Sequence, residues 1–199
     1  AGMLISLQNQ IHHYARALEN EDVIDLIKVK TFLQEKLNVS VPQSMQGHQL
    51  ILFLKQKLNR PLRVCGMVKN EGEPGGGPFW VENKGGVSLQ IIEGAQVNTK
   101  DDQQKDIFKK GTHFNPVDIV CGVHNHKGVK YDLTHFVDYD ACFIAEKSVN
   151  GTAIKAIERP GLWNGAMADW NTVFVEVPVR TFNPVKTVND LLRPLHQST

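Results

Sequence analysis

The chain has 199 residues, 41% of them apolar and 22% charged, and its 22 Lys and Arg against 21 Asp and Glu leave a formal charge of +1. A balance this near neutrality creates no field for a polyanion, so nucleic acid is not an expected partner, and the apolar share is ample for a core, which excludes general disorder. No apolar run approaches the roughly 20 residues that cross a bilayer, so no membrane partner is expected either. The three cysteines, Cys65, Cys121 and Cys142, are odd in number, widely spaced and free of any C-x-x-C pair. That usage fits a reducing compartment, and the cytoplasm is the expected location.

The opening Ala1-Gly2-Met3 carries no basic, apolar and cleavable leader. It reads either as a remnant ahead of a starting Met3 or as an internal cut of a longer chain, and the second is expected. Between Leu4 and Leu58, apolar residues recur at spacings of three and four, as in Leu4, Leu7, Ile11, Ala15 and Leu18, and three amphipathic helices are predicted. Pro42 separates the second from the third, and Asn59-Arg60-Pro61 ends the third. Leu62 to Val68 reads as a strand, followed by the turn-rich stretch from Asn70 to Pro78. Phe79 to Glu82 and Val87 to Ile92 flank Asn83-Lys84-Gly85-Gly86 and predict a hairpin. A short helix is predicted over Asp101 to Lys110, capped by Thr99 or a nearby Asp. Strands follow over Val117 to Val123, Ala153 to Ile157 and Val173 to Val177, and a last helix over Val188 to Leu192. The expected organisation is one cooperative unit, residues 1–60 helical and packed on a sheet built from residues 61–199.

Several residues invite a chemical reading beside a plainer one. Gly75-Gly76-Gly77 would let backbone N–H groups approach a phosphate or sugar closely, or is simply a flexible turn. Glu93, ending an apolar strand, could accept paired hydrogen bonds from vicinal hydroxyls, or reach solvent. Lys186, braced by Pro184 and an adjacent Asp190-Leu191-Leu192, suits phosphate oxygens as a compact point charge, or is an ordinary exposed lysine. His124 and His126 lie two apart, but no second ligand pair accompanies them, so they read as loop histidines and no metal site is expected in this chain. Trp163, Trp170 and Phe174 could stack on a sugar or fill the core.

Three blocks, in order, resemble the C-terminal half of sugar nucleotidyltransferases of the UTP-glucose-1-phosphate uridylyltransferase type. They are Gly76-Gly77 with the strand ending Glu93-Gly94-Ala95-Gln96-Val97, the Phe114-Asn115 segment, and Ala153-Ile154-Lys155 with Arg180-Thr181-Phe182-Asn183-Pro184-Val185-Lys186-Thr187-Val188-Asn189-Asp190-Leu191-Leu192. The whole sequence is also similar to the C-terminal part of an uncharacterised bacterial family of longer chains. The resemblance implies an α/β fold, the C-terminal portion of a Rossmann-like nucleotide-diphospho-sugar transferase domain, with a mixed sheet, an antiparallel hairpin and N-terminal helices. It implies that Lys186 contacts phosphate, that Glu93 and Asn115 bind sugar hydroxyls beside Phe114, and that Gly76 and Gly77 admit the sugar.

The implied reaction is attack of a sugar 1-phosphate on the α-phosphorus of an NTP, in which cations supply electrostatic stabilisation. The family's glycine-rich loop, triphosphate lysine and Mg²⁺-binding aspartate precede the matched region, and Leu4 to Leu58 holds no equivalent. The expectation is therefore the sugar-binding half of a divided site, partnered by a missing N-terminal half that carries the nucleotide and the Mg²⁺ ligands, and inactive alone. A non-catalytic carbohydrate-binding or regulatory module is the alternative, and a structural domain mediating oligomer contacts a third.

Overall fold

In the computed structural model the described residues are all but 21–23, 73–74, 84–85, 160, 163–166, 184, 186 and 198–199, together with the side chain of Asn115. Three helices come first: α1 (Gly2–Glu19), α2 (Leu26–Leu37) and α3 (Gly47–Leu58). The face of α1 predicted to be apolar is the buried one, with Leu4, Leu7, Ile11, Ala15 and Leu18 turned inward. Asp25 opens α2 by accepting a hydrogen bond from the Ile27 N–H, and Asn38 closes it in the left-handed region at φ 54°.

The next strand, β1 (Leu62–Lys69), is buried along its whole length except Lys69, as a strand covered on both faces must be. It lies between β4 (His113–Gly122), to which it is antiparallel, and β7 (Asn171–Glu176), to which it is parallel. Alternation along β1 divides two cores. Leu62 and Val64 join Val120, Val173 and Val175 in the cluster formed with the three helices. Cys65 and Met67 face the other way, toward Ile119, Phe174 and Ile91. Ile91 belongs to the hairpin of β2 (Gly77–Asn83) and β3 (Gly86–Ile92), so the sheet sits between a helical layer and this hairpin.

Arg63 is fully buried on the hairpin side. Its guanidinium donates to Thr172 Oγ1 at 2.9 Å, to the Leu162 carbonyl at 2.9 Å and to Gln90 Oε1 at 3.2 Å. Gln90, itself buried, donates onward to Ser88 Oγ and the Ala168 carbonyl. Among the described residues these partners are all neutral, so the arginine acts as a polar pin between β1, β7 and the hairpin.

The predicted short helix is α4 (Asp102–Lys109), capped by Asp101, which accepts from the N–H groups of Gln103 and Gln104. Three expectations need correction. β4 begins at His113, four residues before the predicted strand, because the ladder passes Pro116 by shifting register, as a residue without an N–H requires. The strand over Ala153 to Ile157 is β6 (Thr152–Glu158), but its partner β5 (Phe143–Val149) was not foreseen. Asn150 and Gly151 join them at φ 51° and 80°, the positive values of a two-residue hairpin turn. The Val188–Leu192 segment is a 3₁₀ turn, closed by reciprocal hydrogen bonds between Thr187 and Asp190.

The architecture is mixed α/β with N-terminal helices and antiparallel strand pairs. The parallel pairing of a Rossmann-like domain is confined, among the described residues, to β1 and β7.

Candidate functional site

Because β1 and β7 run parallel, their carboxyl ends finish side by side, with Met67 opposite Glu176. The antiparallel β4 brings its first residue to the same edge, His113 opposite Lys69. In open α/β sheets this edge is where ligands bind. The His113 Nε2 lies 3.1 Å from one Glu176 oxygen, and the Lys69 Nζ 3.8 Å from the other. A carboxylate only accepts, so Nε2 carries the proton, and in the neutral ring Nδ1 accepts from the Thr112 hydroxyl at 2.9 Å. The His113 hydrogen bond first, and then the Lys69 charge, hold the Glu176 carboxyl below its ordinary value.

The glycine turn leaves β1 at Asn70 and returns as β2. A Cβ on Gly77 would stand 2.6 Å from the His113 carbonyl oxygen, so the hairpin can lie against the start of β4 only with glycine there. Gly77 pairs with Ile92, which places Gly76 and Glu93 together at the open mouth of the hairpin. A Cβ built on Gly94 would meet Phe108 at 3.6 Å and the Gly75 carbonyl at 3.9 Å, so the turn and the strand end are neighbours.

A cavity of about 180 Å³ opens here, bounded by Gly75, Gly76, Phe79, Phe108, Lys109 and His113. Phe79 and Phe108 stack at 5.4 Å and also wall a larger cavity of about 620 Å³, lined further by Trp80, Gln96, Gln103 and Gln104. Cationic and backbone donors in the small cavity suit an oxyanion. An exposed indole among amides in the large one suits a polyhydroxylated ring.

Of the residues singled out from sequence, Gly76, Gly77 and Glu93 come together. Glu93 is half-buried and already accepts from the Gln96 backbone N–H, while the Gln96 side chain accepts from the Glu93 N–H at 2.8 Å. Phe114 is 5% exposed and tilts against Phe182 at 5.2 Å, so its ring is a packing residue that ties Phe182 to β4. Lys186 and the side chain of Asn115 lie outside the described residues, as does Trp163. Trp170 and Phe174 belong to the interior.

The His124 and His126 loop docks on α1: His126 and Lys127 reach Glu19 at 3.1 and 2.9 Å, and Arg16 donates to the His126 carbonyl. Among the described residues no three His, Cys, Asp or Glu side chains gather to hold a metal ion, and no helix is long and apolar enough to cross a membrane. His113, Glu176, Lys69 and Lys109 escape a sequence reading. No motif marks them: the strand order unites His113, Glu176 and Lys69, and α4 brings Lys109 to the same cavity as His113.

Known structures offer a distant likeness. A point mutant of UDP-glucose pyrophosphorylase from Leishmania major in complex with UDP-glucose is 16% identical, with a TM-score of 0.44, covering 74% of this chain and 33% of that one. A second mutant with UDP-glucose gives 16% identity and a TM-score of 0.43 over 78% and 34%. The open and closed structures of that enzyme give 14%, 0.40, 75% and 34%. The chain thus spans about a third of the length of these proteins. At these values the likeness is a loose one of fold and says nothing about chemistry. No curated protein matches the sequence. The model of DUF4301, a domain of unknown function, matches residues 1–197, and the chain belongs to that family.

Proposed function

We propose that this chain forms the sugar-phosphate-binding half of a sugar-1-phosphate nucleotidyltransferase, in which a sugar phosphate attacks the α-phosphorus of an NTP to give an NDP-sugar and pyrophosphate. The observation that carries the reading is the meeting of the glycine turn with Glu93 at the carboxyl edge of the parallel pair, beside Lys109 and the His113–Glu176 couple. In this reading Gly75 and Gly76 expose backbone N–H groups to phosphate, and Lys109 adds charge. Glu176 keeps the His113 ring oriented at the cavity wall, and the Glu93 carboxylate accepts from sugar hydroxyls. Lys186 supplies a further phosphate contact. The described residues contain no cluster fit to hold Mg²⁺. In this proposal the ion and the nucleotide belong to residues outside this chain, and no step here is routed through the metal.

The test is calorimetry with a panel of sugar 1-phosphates, followed by pyrophosphate release from the full-length protein supplied with NTPs. Binding of one sugar phosphate is expected, weakened by Glu93→Gln with nucleotide affinity retained. Lys186→Ala is expected to lower turnover by about two decades, as loss of a charge-assisted phosphate contact does. Failure of every sugar phosphate to bind overturns the proposal. The Trp80 and amide lining of the large cavity favours one second reading, a carbohydrate-binding module without transfer. Sugar binding without any pyrophosphate release would select it.

A further inference from the structure

A different cavity, of about 280 Å³, lies at the opposite, amino end of β1 and β7, between the helical layer and the β2–β3 hairpin. Two cations line it. Arg60, just ahead of β1, has a largely buried side chain and meets Asp169 at 3.0 Å, and Lys57 of α3 holds its ammonium 5.2 Å from the centre of the Phe53 ring. Asp169 balances one of the two charges, so the pocket keeps a net positive character.

Trp170 also lines it, 4% exposed, and its indole N–H is buried with no hydrogen-bond partner among the described residues. A buried indole N–H ordinarily finds an acceptor, and an anion entering beside Trp170 would supply one. The rest of the wall includes the apolar Val39, Phe53 and Leu89.

We propose that this cavity binds a small organic phosphate, its phosphoryl group held by Lys57 and Arg60 and oriented by the Trp170 indole N–H, its carbon skeleton against the apolar wall. The Lys57 charge, the Arg60 N–H groups that Asp169 leaves over and a donor-only N–H match a phosphoryl group, and the apolar wall rewards an ester over the bare ion. Burial, and for Lys57 also the neighbouring Arg60, holds both basic groups below their ordinary values, an unfavourable setting that an arriving anion relieves. The site is separate from the glycine-turn cavity, and its position at the far end of the sheet suits an effector rather than a reactant.

The experiment follows the Trp170 indole N–H resonance of the whole chain, assigned with Trp170→Phe, during titration with glycerol 3-phosphate, inorganic phosphate and sodium chloride. A saturable shift of that resonance is expected with glycerol 3-phosphate, and a weaker one with inorganic phosphate. Lys57→Gln is expected to raise the dissociation constant about tenfold or more, the scale of a lost charge-assisted hydrogen bond. Trp170→Phe, which keeps the ring and removes the N–H, is expected to weaken binding measured by calorimetry. Glu93→Gln leaves this binding unchanged, which separates it from the sugar-phosphate reading. An unmoved resonance, a shift reproduced by sodium chloride, or equal affinity for inorganic phosphate each overturns the proposal.

Discussion

At Gly77 the hairpin and β4 come so close that any Cβ would fall 2.6 Å from a backbone oxygen, which cannot swing aside as a side chain could. Gly77→Ala is therefore expected to cost roughly 1–3 kcal/mol, the range of overpacking, and to disturb the His113–Glu176 couple behind it. Urea unfolding measures the first effect and the His113 ring resonances the second. Arg63 is the other residue on which much rests. Arg63→Ala removes a fully buried side chain and leaves Thr172, Gln90 and the Leu162 carbonyl without their donor. A loss on the order of 4 kcal/mol is expected from the cavity and the stranded acceptors together. Arg63→Met, which retains most of the volume, is expected to lose clearly less. Equal losses in the same unfolding experiment would show that the stranded hydrogen bonds, and not packing, account for Arg63.

Among the elements, α4 is short and has no buried residue, so its cap weighs heavily. Asp101→Ala is expected to cost about 1 kcal/mol locally, seen as faster amide exchange at Gln103 and Gln104 with little change in global unfolding. Because Phe108 at the end of α4 stacks on Phe79, fraying would loosen the wall shared by the two cavities. The docked loop gives a second element-scale expectation. Contacts with Lys127 and then His126 hold the Glu19 carboxyl below its ordinary value of 4.5. A carboxyl lowered by folding stabilises above 4.5, and that contribution disappears as the pH falls through the lowered folded value. The melting temperature should accordingly fall on acidification below about 4.5, and Glu19→Gln should flatten that part of the curve.

Over the whole molecule the helices, sheet and hairpin form consecutive layers, and Leu33, fully buried in α2, lies in the cluster that joins the helices to the sheet. Leu33→Ala is expected to cost about 2–5 kcal/mol while helix circular dichroism and tryptophan fluorescence still unfold together. Separate transitions would show that residues 1–60 fold on their own. The helices, β1, β2, β3 and α4 were legible because each follows a local rule: apolar residues recur at the period of the element, and an aspartate caps the short helix. β5 is not legible in the sequence because its segment Phe143-Ile144-Ala145-Glu146-Lys147-Ser148-Val149 shows no clean alternation, although Asn150-Gly151 carries the hairpin signal. Gly76, Gly77 and Glu93 could be picked out as unusual in the chain, but their adjacency is a matter of hairpin register. His113, Lys69 and Glu176 stand up to 107 residues apart in sequence, the distance from Lys69 to Glu176, and meet only because β4 and β7 flank β1 in opposite senses. Local periodicity is written in neighbouring residues, so the elements could be read directly. Strand order and direction arise from contacts between distant segments, so the composition of the site could be seen only in the folded chain.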